Sequence, residues 1–302
     1  MRNEATFVRR AGSAAGALPD DAGARPPTAP RRCGPSRTLH LGAGETVAGA
    51  LDPGWLLGAA CELHRWGLVD QLGTAPADLR DAGGRPVVAM LTSLALDGRL
   101  DPFVDGTPAC LTLLTPPSPA SAWRSRTILS GLAHHAVTVD LVTTFVTRDD
   151  AAGGVLRPSR MAAALAARSE GEPAARTEVI AARRAAMRHR ARRVLAEPQL
   201  NRRVFAGGGG DGAVTGLAFC PDLVAFFREA EARAAPAVVA RYVPVAREIH
   251  LWGSVARGQA LDLGARTSAD RPGSAVAVTL ETAARHGDGT LLATGTARFE
   301  RV

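Results

Sequence analysis

"LDPGWLLGAACELHRWGLVDQLG", residues 51–73, decides how the first half of the chain is read. Asp52 stands just before Pro53, and an acidic cap followed by proline at the first helical position is a strong helix start. Leu57, Ala60, His64 and Leu68 then recur on one face at helical spacing, with Glu62 and Arg65 on another. Behind the helix come "RPVVAMLTSLAL" (85–96), "ACLTLLTP" (109–116) and "AVTVDLVTTFVTRDD" (136–150). These stretches are short, rich in Val, Thr and Leu, and bounded by Gly, Pro and Asp. They read as antiparallel strands.

From Asn201 the same order comes round again. A glycine-rich turn, "AGGGGDGAVTG" (206–216), precedes a helical stretch, "LAFCPDLVAFFREAEARA" (217–234). Two strand-like stretches follow, "AREIHLWGSVARGQALDLGART" (246–267) and "SAVAVTLETAARHGDGTLLATGTARFERV" (274–302), the second a hairpin with "HGDG" at its turn. One helix followed by antiparallel strands, occurring twice, argues for a duplicated α+β unit. On this reading residues 1–36 form a disordered tail, 37–150 the first unit, 151–199 an Ala/Arg-rich helical and solvated linker, and 200–302 the second unit.

Composition narrows the function classes. With 302 residues and 46% hydrophobic content the chain can bury a sizeable core. No run of eighteen apolar residues spans a bilayer, and Arg2, Arg9 and Arg10 precede no apolar stretch resembling a secretory signal. All 36 basic residues are arginine, and the net charge is +7. That excess raises nucleic acid as a partner, yet much of it sits in residues 157–203 and one tyrosine is all the chain offers for stacking, so nucleic acid is not expected. Cys33, Cys61, Cys110 and Cys220 form no CxxC pair, which fits reduced thiols and a cytoplasmic protein.

The motifs, taken in order, resemble a known family. The second half, with an Asp-Gly before the helix and then "FFREAEARA", is similar to acyl-thioester hydrolases of the hot-dog class. Across both halves, "LHLGAGETVAGALDPGWLLGAACELHRWGL" (39–68), "VTVDLVTTFVTRDD", "DGAVTGLAF" (211–219) and "REIHLWGSVARGQAL" (247–261) resemble the double-hot-dog bifunctional acyltransferase/decarboxylases of leinamycin-type polyketide biosynthesis. The resemblance implies an α+β tandem (double) hot-dog fold, two central helices each wrapped by an antiparallel sheet. It implies an enzyme that loads a malonyl or methylmalonyl group from coenzyme A, decarboxylates it and passes it to an acyl carrier protein. Acyl-CoA is then substrate rather than cofactor, and no membrane is involved; a homodimer is one assembly open to it. That family carries its acyl group on a first-half tyrosine, whereas the only tyrosine here is Tyr242, in the second half. A hot-dog thioesterase or dehydratase, or a non-catalytic scaffold binding a carrier protein, are the alternatives.

Thioester chemistry needs donors aimed at the carbonyl oxygen as it gains charge, and helix N-termini supply them. Gly54 and Trp55 in the first half, and Gly212 and Ala213 in the second, are the candidate substrate-binding residues. Turn geometry alone would equally account for Gly54 and Gly212. Asp211 is the candidate acid/base or orienting carboxylate; a solvated turn residue is the competing reading. His64 is the second catalytic candidate because an imidazole titrates near neutrality, although a histidine on an apolar helix face is more often a hydrogen-bonded core residue. No metal site is expected, since no HxxxH or HExxH occurs. "GGGGDG" matches GxGxxG in letters but sits in no parallel βαβ unit. Cys220, near a helix start, is more readily a buried, inert thiol than a reactive one. Glu229 and Glu231 read as part of a solvated helix face with Arg228 and Arg233.

Overall fold

The computed structural model describes residues 32–47, 50–73, 78–81, 83–115, 122–131, 135–149, 155–159, 174–205, 220–253, 259–268 and 277–301. The first helix, α1 (Pro53–Leu72), begins where the sequence places it. Asp52 caps it, and Gly73 ends it in the left-handed conformation (φ 68°), its N–H reaching the Val69 carbonyl. Leu56, Leu57, Ala60, Cys61, Leu63, His64, Gly67 and Leu68 form its buried face.

Among the described residues thirteen strands follow along the chain: β1 (Arg32–His40), the short β2 (Thr46–Val47) and β3 (Ala50–Leu51), β4 (Val87–Asp97), β5 (Pro108–Thr115), β6 (Ala122–Ser130), β7 (Ala136–Asp149), β8 (Val155–Pro158), β9 (Leu200–Phe205), β10 (Tyr242–Leu251), β11 (Ala260–Ser268), β12 (Ala277–His286) and β13 (Leu291–Arg301). Three more helices are α2 (Ala174–Ala196), α3 (Cys220–Ala234) and α4 (Pro236–Arg241). Eleven strands make one sheet in the order β1-β5-β6-β7-β4-β10-β13-β12-β11-β9, with β8 on β7. Number the long strands of each half from one to five along the chain. The first half then runs 1-3-4-5-2 and the second 2-5-4-3-1, mirror orders that meet at their second strands. All the pairings are antiparallel. The duplicated, antiparallel α+β architecture read from the sequence is the one found.

The junction is β4 against β10, with Ile249 opposite Leu94 and Arg247 opposite Leu96. Leu94 and Ile249 both point into one core that also takes Leu57 and Ala60 from α1 and Val224 and Phe227 from α3. The two units therefore share a single hydrophobic interior. Gly295 on β13 lets Phe227 approach the sheet closely, since a Cβ there would meet the ring at 2.8 Å and Thr282 Oγ1 at 2.5 Å.

Several elements differ from the sequence reading. β1 starts at Arg32, inside the stretch assigned to the tail. The strand β6, "AWRSRTILS", carried no clear signal because its inward residues are Trp123, Ser125, Thr127 and Leu129, two of them polar. The stretch 246–267 is two strands, β10 and β11, rather than one. The linker does contain a helix, but α2 is solvated on one side only. Met187, Ala191 and Val194 are buried, the last two against Ala283 of β12. Arg190 reaches the buried Glu281 at 2.9 Å, and Arg188 lies 4.5 Å from the Trp252 ring.

Candidate functional site

The two central helices meet across the junction, and there the first candidate group is found. Asp52 accepts hydrogen bonds from the Gly54 and Trp55 amides, both at 3.2 Å, and from Arg228 Nη1 of α3 at 3.0 Å. The amides proposed for a thioester oxygen thus already have an acceptor, and it comes from the residue that caps the helix. Trp55 and Ala59 of α1, Phe226 of α3 and Leu91 of β4 are partly buried against the shared core. Arg228, read from sequence as part of a solvated face, is a bridging residue; its i+4 spacing from Val224 at a helix edge was the available signal.

His64 lies elsewhere, between α1 and the first-half sheet. Its Nδ1 is 2.6 Å from Ser125 Oγ on β6 and its Nε2 2.8 Å from Thr143 Oγ1 on β7. The residue is 6% exposed, and burial pushes its pKa down to about 3. Both ring nitrogens are engaged, so this neutral imidazole offers none to a substrate in the conformation seen.

Its counterpart in the second half is a charged residue. His64 is the twelfth residue of α1 and Glu231 the twelfth of α3. Glu231 is 1% exposed and makes a two-pronged pair with Arg247 of β10, Nη1 to Oε1 at 2.8 Å and Nη2 to Oε2. It is not part of a solvated face, as its neighbours suggested. Its spacing from Val224 and Phe227, both buried, was the legible sign. Each central helix therefore buries one polar side chain at the same height, and each is fully partnered.

Asp211, Gly212 and Ala213 lie outside the described residues; Cys220 opens α3. Cys61 is buried, and desolvation pushes its thiol up to about 12, so it stays protonated. Tyr242, like Val238, packs on a small cluster of Ala235, Leu280, Ala297 and Phe299, separate from the shared core. A recess of about 20 Å³ lined by Arg37, Glu62, Trp66 and Leu111 has room for a water but not for an acyl chain. Among the described residues no three metal-ligating side chains converge, and no helix is long and apolar enough to cross a membrane.

No family model and no curated protein matches the chain. Solved structures do. The acyl-ACP thioesterase from Bacteroides thetaiotaomicron superposes at TM-score 0.59 with 8% identity, covering 88% of this chain and 97% of that one. The 12:0-ACP thioesterase from Umbellularia californica gives 0.61 at 7% identity, with 88% and 94% covered. A protein described as an oleoyl thioesterase from Lactobacillus plantarum gives 0.62 at 11% identity, with 88% and 96% covered. The fold is a tandem hot-dog. The likeness covers nearly the whole of those chains and so takes in both units of this one. At such identities the likeness extends to architecture and not to any side chain.

Proposed function

We propose that this tandem hot-dog acts on acyl thioesters of coenzyme A or an acyl carrier protein, with hydrolysis as the primary reaction. The observation that carries the reading is the tandem hot-dog architecture, two central helices packed on one core shared by both halves. The named functions of the neighbouring structures, thioester hydrolysis on carrier proteins, support the same class.

In this proposal Asp211, preceding α3, takes the proton of the attacking water, and the Gly212 and Ala213 amides receive the charge that develops on the carbonyl oxygen. The carbon–sulfur bond then breaks and the thiol leaves protonated. His64 serves as a packing residue. The runner-up is acyltransfer with decarboxylation, supported by the order of the motifs along the chain. There the thioester enolate would need the same amides, and Asp211 would orient rather than exchange a proton. The acyl group would then need another carrier than a first-half tyrosine.

One experiment separates these readings. The protein is incubated with octanoyl-CoA, malonyl-CoA and their carrier-protein thioesters, while free thiol, released carbon dioxide and intact masses are followed. Hydrolysis gives free thiol and free acid, without acyl-enzyme or acyl transfer. Transfer with decarboxylation gives carbon dioxide and a carrier heavier by the shortened acyl group. Asp211→Asn should lower hydrolysis by about two to four orders of magnitude if the carboxylate exchanges a proton. No thiol release from any substrate would leave the scaffold alternative standing.

A further inference from the structure

We propose that the basic side of α2 is a docking surface for an acyl carrier protein, which it meets through an acidic helix of that partner. This inference rests on the acyl-thioester reading and names the partner that presents the thioester.

Between Ala185 and Ala196 the helix holds Arg188, His189, Arg190, Arg192 and Arg193 and no acidic residue. Arg188 and Arg192 stand four positions apart, a like-charge spacing that weakens a helix. A merely solvated face sets Glu against Arg at that spacing, so helix stability does not account for the run. The apolar side of α2 is taken up by the sheet, on the face opposite α3. Val194 meets Ala283, whereas the next residue, Ala284, joins the shared core. The arginines are thereby turned outward, and three of them are held in place. Arg188 lies 4.5 Å from the Trp252 ring centroid. Arg190 and Arg193 reach Glu281 Oε1 at 2.9 and 3.7 Å, and Arg266 of β11 comes within 3.7 Å of Oε2. One buried negative charge therefore faces three positive ones. Arg192 is exposed, and no carboxylate among the described residues lies within ion-pair reach of it. Guanidinium groups already fixed in this way lose little freedom when an anionic surface arrives.

The size and place of the patch favour a protein. Arg188 to Arg193 spans about 8 Å of helix axis, a match for a short run of carboxylates on one helix rather than for a phosphate track. Trp252 follows β10 at the end of the sheet where β9 stops at Phe205 and β12 at His286. The Arg188 end of the patch thus lies at the rim of the sheet, and a tethered acyl group leaves the outer face of a sheet only over a rim.

The test reads binding directly. Full-length protein is titrated into a fluorescently labelled, acidic bacterial acyl carrier protein in its apo form, and anisotropy is followed at low and at physiological salt. Saturable binding is expected, weaker by about tenfold at the higher salt. Arg192→Glu, at an exposed position without an ion pair, should weaken it by at least about tenfold, and Arg192→Lys by no more than about threefold. Arg65→Glu makes the same change of charge on the exposed side of α1 and should leave the affinity within about twofold. Equal weakening by Arg65→Glu and Arg192→Glu would reduce the effect to net charge and overturn the surface, as would unchanged binding in Arg192→Glu. A duplex DNA bound more tightly than the carrier, and released by Arg192→Glu, would make nucleic acid the partner instead. Thiol release from acyl thioesters without carrier binding would overturn the docking surface and leave the thioester reading intact. Arg192-dependent carrier binding without thiol release from any substrate would do the reverse.

Discussion

His64 shows how a single residue can be read correctly in type and still be ambiguous in role. The sequence places it on the apolar face of α1, but its partners, Ser125 and Thr143, stand 61 and 79 residues further on. No local pattern connects them. The burial has a consequence that can be measured. With the folded pKa near 3 and the unfolded value near 6.5, the unfolded chain alone binds a proton between those limits. Stability from this group is therefore complete above pH 6.5 and is lost as pH falls, at up to about 1.4 kcal/mol per pH unit. Urea midpoints at pH 7 and pH 5 should fall more steeply for the unaltered protein than for His64→Gln; parallel curves would contradict the neutral, buried imidazole. Glu231 and Arg247 make the complementary case. Glu231→Gln leaves a guanidinium buried and half-paired, so about 3–5 kcal/mol of stability should be lost in denaturant titration. Replacing both, Glu231→Leu with Arg247→Met, should recover most of that loss, because no charge then remains in the interior. A double variant as unstable as the single one would show that packing, not charge, sets the cost.

At the scale of elements, what was legible depended on whether a strand's inward face is apolar. β4, β5, β7 and the β12–β13 hairpin carry Leu, Val and Ala inward and were visible as strands. β6 was not, because its inward Ser125 is polar where it meets His64. β1 was hidden by its composition, with Arg, Pro and Ser along an edge strand, the kind of residue that discourages edge-to-edge association. Its register against β5 runs from Arg32 opposite Thr115 to His40 opposite Pro108. Removing residues 1–31 leaves this ladder whole, and the melting temperature should not move. Removing residues 1–36 takes the pairings of Arg32, Cys33 and Ser36, and a loss of about 1 kcal/mol should lower the midpoint by about 2–4 °C or less. Equal midpoints for the two truncations would mean that the first part of β1 contributes nothing. α2 was legible as a helix but not as a docked one. Its anchor, Glu281, sits on a strand about ninety residues away from the arginines that reach it.

At the scale of the whole molecule, the duplication was visible as a repeated order of elements, but the way the two copies join was not. Nothing in the local pattern of β4 or β10 says that each will pair with the other rather than end a sheet. The junction follows from burial: Leu94 and Ile249 face inward at directly opposed positions, so a sheet cut between them would expose one core along two raw edges. The chain should therefore unfold as one cooperative unit despite its two units of fold. Calorimetric and van 't Hoff enthalpies should agree, and guanidinium unfolding should be a single transition by both circular dichroism and tryptophan fluorescence. Trp123 reports on the first half and Trp252 on the second, so the fluorescence signal samples both sides of the junction. Expressed separately, residues 32–159 and 174–302 should each be soluble only weakly and lack a sharp transition, because each would leave half of the shared core and an unpaired β4 or β10 in water. Expressed together, they should associate and recover the single transition. Two resolved transitions in the intact chain, or one half folding sharply alone, would mean that the junction is a contact between finished domains.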